Sequence, residues 1–190
     1  MTSSAVTTTF GPSALATPAN AVTMARVGLT PVLLAAILAT GASWPALALW
    51  IALASTDGVD GYLARRHGTT RSGAFLDPLA DKLLVLGALV CLVVEGLVWW
   101  VPVAIIAVRE LWMSAYRSWL GRHGISLPAR TSAKVKTVVQ SVAVGLALAP
   151  TLEDADWLTS TVLWAAVVLT IWSGVQYLAD ARRQAVRLAV

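Results

Sequence analysis

Charge is scarce in this sequence of 190 residues, because only 13% of them are Asp, Glu, Lys or Arg while 57% are hydrophobic. The mean hydropathy of +0.73 excludes an ordinary soluble domain, which could not cover itself with so little polar surface. Long apolar stretches instead predict helices that cross a bilayer, whose hydrocarbon core is about 30 Å thick. The net charge of +4 is modest, so the placement of the charges is more informative than their sum.

Two further absences limit the interpretation. Cys91 is the only cysteine, which excludes an internal disulfide, and we expect it to be a small apolar residue of a membrane helix. No Lys or Arg precedes Arg26, although a secretory signal begins with basic residues, so we expect no such signal. Residues 1–17 are rich in Ser, Thr and Ala and are predicted to form a disordered tail, and residues 18–190 are predicted to form a single domain.

Six apolar segments predict an all-α integral membrane protein with six transmembrane helices. Pro18 and Asn20 indicate a further helix start ahead of the first of them. The expected spans are residues 27–43, 44–66, 74–98, 100–120, 131–149 and 157–182.

The cations lie at every second connection between these spans. Arg residues lie in or next to the turn between the second and third spans and at the end of the sixth span. Arg and Lys lie in or next to the turn between the fourth and fifth spans, whereas the other three turns hold neither. By the positive-inside rule, we expect both termini and the cationic turns to face the cytoplasm. Four tryptophans in the opposite turns predict an aromatic belt at the far interface: Trp44, Trp99, Trp100 and Trp157.

Four aspartates interrupt the apolar pattern between the second and third spans. Asp57 and Asp60 are three residues apart, and Asp77 and Asp81 are four apart, so each pair lies on one face of a helix. Carboxylates this close would repel one another at low dielectric unless cations lay among them. Because hard divalent cations prefer such oxygen ligands, we predict a metal site, with two ions, built from two helix ends joined by a turn.

The spacing resembles the signature of the CDP-alcohol phosphotransferases, membrane enzymes that move a phosphatidyl or similar group from a CDP-linked donor to an alcohol. Asp-x-x-Asp-Gly-x-x-Ala-Arg is followed by Gly-x-x-x-Asp-x-x-x-Asp, so all eight signature residues occur within 25 positions. The resemblance implies that Asp57, Asp60 and Asp77 bind Mg²⁺ or Mn²⁺, and that Asp81 is the general base and also touches a metal. The residues alone leave open which aspartate is the base, since coupled carboxylates titrate as a group.

The same resemblance implies a site for the CDP part of the donor. Its expected members are Gly61, Ala64 and Gly73, whose small size lets a nucleotide approach the backbone, together with the arginines Arg65 and Arg71. An amphipathic juxtamembrane helix near residues 17–26 is expected to add Asn20 and Thr23, which match the family's amino-terminal segment in register with Arg26. The alternatives are close helix packing for the small residues and a purely topological role for the charges.

A second polar group lies in the fourth span. Arg109 is nine and ten residues beyond Trp100 and Trp99, which places it about 14 Å from the interface, where a charge is costly unless it faces a polar cavity or a partner. With Arg117, Lys134 and Lys136 it is expected to bind the phosphate of a phosphorylated acceptor. The alternative is a structural pairing of Arg109 with Glu110 or with an aspartate.

This second group resembles the branch of the family in which CDP-diacylglycerol is the donor and sn-glycerol 3-phosphate the acceptor. Inositol phosphate or phosphatidylglycerol as acceptor remains an alternative, which Lys136→Asn would probe, and a small cation transporter is a remote one. The resemblance also implies a homodimer among membrane lipids, with no nucleic-acid partner. The Arg- and Ala-rich composition is typical of a bacterium with GC-rich DNA. For a membrane protein of a bacterium, we expect a location in the cytoplasmic membrane.

Overall fold

The computed structural model describes the backbone of residues 18–67, 71–122 and 131–188. Within these ranges it describes the side chains except those of residues 18–20, 57–78, 122, 131–133, 153 and 183–188. The tail predicted for residues 1–17 lies outside the described residues. The described backbone is helical, without strands, and comprises α1 (Pro18–Thr40), α2 (Trp44–His67), α3 (Arg71–Val94), α4 (Trp100–Arg122), α5 (Thr131–Leu148), a 3-10 helix (Pro150–Ala155) and α6 (Asp156–Leu188).

The six helices predicted from the apolar segments are confirmed as helices, and most of their ends fall within a few residues of the predicted ones. The start of the chain differs, because the predicted juxtamembrane helix and the first span form one continuous helix, α1. Pro18 occupies the first position of α1, where its missing N–H costs nothing. The boundary expected after Arg26 is absent because this arginine is buried within the bundle and is not at an interface with water.

The connections between α1 and α2, between α3 and α4, and between α5 and α6 meet at one end of the bundle, which we call the turn end. Ala42, Gly96 and Leu152 come from these three connections and line a common depression there. Gly41 and Gly96 follow the last residues of α1 and α3 with φ of 61° and 74°, a left-handed conformation that glycine adopts without strain. The carboxyl end of α2 and the start of α3 therefore lie at the opposite end, which we call the signature end.

The bundle is apolar inside and outside. α1 packs against α2 and α3, and α6 packs against α4 and α5, around a continuous core that includes Leu33, Leu89 and Val144. Many large apolar side chains also point outward, among them Val108 at 69% exposed. By length and composition, Ala21–Thr40 and Asp156–Arg182 are able to cross a bilayer. Helices that are apolar on all sides are typical of membrane spans.

The four tryptophans predicted as an aromatic belt are all exposed and all lie at the turn end. Trp44 begins α2, Trp100 begins α4, and Trp157 is the second residue of α6. The ring of Trp99 lies 6.2 Å from that of Trp164. Their contact with a membrane interface stays a prediction.

Candidate active site

The amino-terminal part of α1 lies against the start of the signature in α2. Arg26 is 1% exposed, and its Nε donates a hydrogen bond of 3.0 Å to Thr56 Oγ1, one residue before Asp57. Thr30 Oγ1 donates back to the carbonyl of Arg26 at 2.8 Å, and Thr23 is buried on the same helix. A charged side chain buried this deeply needs polar neighbours, and α1 and α2 supply them. Thr23 lies about one helical turn before Arg26 on α1, and its role in binding the donor stays a prediction, while the side chain of Asn20 lies outside the described residues.

The backbone brings both aspartate pairs to the signature end. Asp60 lies seven residues before the end of α2, and Asp77 lies six residues after the start of α3, with only three residues between the two helices. The set consists of carboxylates alone, which suits a hard divalent cation such as Mg²⁺. Of the four aspartates only Asp81 has a described side chain, and it is half-buried. Among the described side chains no group of three His, Cys, Asp or Glu comes together.

The remaining residues predicted for the metal and for the donor lie on the same two helices. Their backbone is helical, but their side chains lie outside the described set, so their roles stay predictions: Asp57, Asp60, Asp77, Gly61, Ala64, Arg65, Arg71 and Gly73.

Lys82 connects the aspartates to a second polar group. Its Nζ donates a hydrogen bond to Ser114 Oγ on α4, and Ser114 Oγ donates one of 2.6 Å to the carbonyl of Glu110. Lys82 interacts electrostatically with Asp81 on one side and with Glu110, Arg109 and Arg117 on the other. Lys82 is not among the site residues predicted from the sequence. The signal was available, because Lys82 directly follows Asp81 and is the last charged residue of α3.

Glu110 is the centre of that second group. It is 7% exposed, and its Oε1 accepts hydrogen bonds from Arg109 Nη1 at 2.8 Å and from Lys136 Nζ on α5. Lys136 is itself 7% exposed. Glu110, Arg109, Lys136 and Lys82, here called the cation cluster, contain three cations and one carboxylate. Buried ion pairs stabilise a fold weakly, and the excess of cations favours an anionic ligand.

Arg109 is fixed against α6. Its Nη2 donates to Ser173 Oγ at 2.8 Å, and Ser173 Oγ donates to the carbonyl of Thr170 at 3.0 Å. Its Nε is buried without a hydrogen-bond partner in the described part of the chain. A Cβ added to Gly174 would lie 3.1 Å from this Nε, so the guanidinium depends on the glycine for its place. The Arg109–Glu110 pairing considered as an alternative is present, and the contact of Arg109 with an acceptor phosphate stays a prediction.

The other two predicted acceptor cations lie farther out. Arg117 is exposed, and its guanidinium carbon lies 5.2 Å from the centroid of the Tyr177 ring, within the range of a cation–π contact. Lys134 is exposed near the start of α5. Of the four predicted cations, the structure therefore brings Arg109 and Lys136 together at Glu110, with Arg117 in electrostatic reach of Lys82. The phosphate-binding roles of all four stay predictions.

Comparison with known proteins agrees with the signature. A family model described as CDP-alcohol phosphatidyltransferase matches residues 16–172. A Mycobacterium tuberculosis (strain H37Rv) protein named "Probable phosphatidylglycerophosphate synthase" is 39% identical over 180 residues, 91% of this chain and 85% of the relative. Proteins named "CDP-diacylglycerol--glycerol-3-phosphate 3-phosphatidyltransferase" from Escherichia coli K12 and Shigella flexneri are each 39% identical over 167 residues, 84% of this chain and 92% of the relative. The chain belongs to the CDP-alcohol phosphatidyltransferase family.

Proposed function

We propose that this protein transfers the phosphatidyl group of CDP-diacylglycerol to sn-glycerol 3-phosphate, giving phosphatidylglycerophosphate and CMP. The observation that carries this proposal is the 39% identity, over most of both chains, to relatives named for that reaction. The cation cluster supports it independently, because three cations around one carboxylate, close to Asp81, suit an acceptor that bears its own phosphate.

The reaction requires a base, a leaving group and compensation of charge. Asp81 accepts the proton of the primary hydroxyl as that oxygen attacks the β-phosphorus, and CMP leaves. The transfer needs no covalent enzyme intermediate, and no Cys, His or Ser stands among the signature residues to form one. Two divalent ions, Mg²⁺ or Mn²⁺, held by Asp57, Asp60, Asp77 and Asp81 would neutralise the diphosphate charge when bound.

The donor is placed against the start of α1 and the end of α2. Arg26 and Thr56 already connect these helices, which supports a role for Thr23 at the edge of the nucleotide site. Small residues of the signature leave room for the nucleotide next to the backbone, and its arginines bind the diphosphate in a bidentate manner. The complete proposed donor set is Asn20, Thr23, Gly61, Ala64, Arg65, Arg71 and Gly73.

The acceptor is placed beside the cation cluster. Lys136 and Arg109 share one carboxylate oxygen, and Lys82 adds a third positive charge at half-buried depth. In a site with little water, a phosphate gains more from these charges than it would at the surface. Arg117 and Lys134 are exposed, and their charges attract the acceptor over a longer range.

The six helices are proposed to cross the bacterial cytoplasmic membrane, with both termini and the signature end on the cytoplasmic side. The apolar exterior and the exposed tryptophans support insertion into a membrane, and the Lys and Arg residues near the signature end support this orientation by the positive-inside rule. A homodimer within the membrane is the expected assembly, on the family resemblance alone.

The test is a radiolabel assay of the purified protein in detergent, with CDP-diacylglycerol, Mg²⁺ and one acceptor at a time. We expect CMP release with glycerol 3-phosphate, lost on addition of EDTA or in Asp81→Asn, and none with inositol phosphate or phosphatidylglycerol. Glu95→Gln at the turn end is the matched control, because this carboxylate is exposed and remote from the signature end. Turnover with a different acceptor would contradict the proposed acceptor, and turnover in EDTA would contradict the metal requirement.

A further inference from the structure

The carboxylate of Glu110 is used on one side only. Both hydrogen bonds described for it, from Arg109 and from Lys136, go to Oε1. Oε2 is not among the fully buried polar atoms that lack a partner, and the side chain keeps 9% of its surface exposed. Within the described part of the chain, Oε2 can therefore still accept a hydrogen bond from a molecule entering the cation cluster.

A carboxylate beside a phosphate site needs a reason. Its negative charge repels a phosphate, and the two cations that share Oε1 are partly neutralised by it. A carboxylate is, however, a strong acceptor for a hydroxyl group, since hydrogen bonds to a charged group are stronger than neutral ones. An acceptor that carries both a phosphate and a hydroxyl can use both properties of the cluster.

A series of contacts relates Glu110 to Asp81. Lys82, next to Asp81, contacts Ser114, and Glu110 lies four residues, about 6 Å, before Ser114 along α4. Lys82 also interacts electrostatically with both Asp81 and Glu110. In glycerol 3-phosphate the central hydroxyl lies between the attacking primary hydroxyl and the phosphate. A molecule with its primary hydroxyl at Asp81 and its phosphate at the cations presents the central hydroxyl near Glu110.

We propose that Glu110 Oε2 accepts a hydrogen bond from the central hydroxyl of glycerol 3-phosphate, which makes Glu110 a specificity-determining residue. This inference rests on the proposed function. It assigns Glu110 a direct contact with substrate, beyond its contacts with Arg109 and Lys136.

The test compares glycerol 3-phosphate with 1,3-propanediol monophosphate, which keeps the primary hydroxyl and the phosphate but lacks the central hydroxyl. In the unaltered protein, kcat/KM is expected to be about 10- to 100-fold lower for the propanediol compound, the loss typical of a hydrogen bond to a charged group. In Glu110→Ala this ratio is expected to fall to about 1 to 3, because neither acceptor can make the bond. A residue that only positions the cations would slow both acceptors equally and leave the ratio unchanged.

A second variant and a control keep the result interpretable. Glu110→Gln keeps the size of the side chain but offers only a neutral acceptor, so the ratio of kcat/KM values is expected to fall at least about threefold in this variant. Glu110→Gln therefore tests the proposal even if Glu110→Ala does not fold. Thr170→Val removes a buried hydroxyl that accepts from Gln140 at 3.0 Å, and is expected to keep the full ratio. An unchanged ratio in either active Glu110 variant, or a ratio near one in the unaltered protein, would overturn the proposal. Absence of turnover with glycerol 3-phosphate in the unaltered protein would instead overturn the proposed function, and with it this inference.

Discussion

Two charged regions lie in this apolar bundle, and their charges have opposite sign. One consists of the four aspartates of α2 and α3, and the other is the cation cluster around Glu110. The first region places four carboxylates within 25 residues and suits added cations. The second gathers three cations around one carboxylate and suits an added anion. Lys82 is next to Asp81 and also interacts with Glu110, so the two regions adjoin there. Their difference separates the chemistry at the diphosphate from the recognition of the acceptor.

The regions also differ in how the chain builds them. The aspartates come from two helices joined by a short connection, whereas the cation cluster takes one residue from α3, two from α4 and one from α5, with Ser173 of α6 as support. Substitutions in the first region should therefore lower kcat, and substitutions in the second should raise the KM for glycerol 3-phosphate.

The largest effect is expected for Asp81→Asn, which removes the proposed base and one metal ligand. The kcat for CMP release should fall by about a thousandfold, within the range of general-base loss. Steady-state assays at saturating concentrations of both substrates measure it, with Glu95→Gln as control. Retention of more than about a tenth of the activity would show that another group takes the proton.

Lys136→Met should raise the KM for glycerol 3-phosphate by about 10- to 100-fold, because it removes a buried cation from the cluster. Lys134→Met removes an exposed cation two residues away, whose charge is screened by water, so its rise in KM should be smaller than about fivefold. Equal effects of the two substitutions would contradict the assignment of the buried cluster as the phosphate site.

Lys82→Met should raise the KM for glycerol 3-phosphate by about tenfold, because it removes a half-buried positive charge. Ser114→Ala keeps that charge and removes only the hydroxyl that holds the ammonium, so its effect should be smaller. A larger effect of Ser114→Ala than of Lys82→Met, in initial-rate measurements with varied acceptor, would show that the serine itself contacts substrate.

Gly174→Ala should produce the smallest change, a rise of about two- to fivefold in the KM for the acceptor. The added methyl carbon would lie 3.1 Å from Arg109 Nε, and the guanidinium has to move a few tenths of an ångström. Gly28→Ala is the matched control, because its added Cβ meets nothing within 4 Å. Equal kinetics for the two variants would mean that the placement of Arg109 against α6 does not matter for the acceptor.

Local signals account for what the sequence predicted well. The six helices follow from apolar segments that end near Gly41, Gly96, Pro150 or clusters of charge. The aspartates are recognisable because the two members of each pair are about one helical turn apart. The continuity of α1 was not predictable, since a lone Arg26 in an apolar stretch resembles a membrane boundary. In the structure this arginine is buried and donates a hydrogen bond to Thr56, 30 residues away.

The cation cluster was predictable only in part, because it also depends on contacts between residues that are far apart in the sequence. The sequence indicated that Arg109 and Lys136 belong together, but the shared oxygen of Glu110 depends on how α4 and α5 pack. The contacts of Ser173 and Gly174 with Arg109 have no local signal in the sequence, because both residues follow Arg109 by more than 60 residues. Lys82 has a local signal, because it directly follows Asp81 and is the last charged residue of α3.

The most direct test of the central claim is the KM for each substrate in Lys136→Met, measured by CMP release with CDP-diacylglycerol and glycerol 3-phosphate varied in turn. The division between the two regions predicts a KM for glycerol 3-phosphate raised by about 10-fold or more, with the KM for CDP-diacylglycerol within about twofold of the unaltered value. A raised KM for CDP-diacylglycerol with an unchanged KM for glycerol 3-phosphate would contradict the account, because the cation cluster would then belong to the donor.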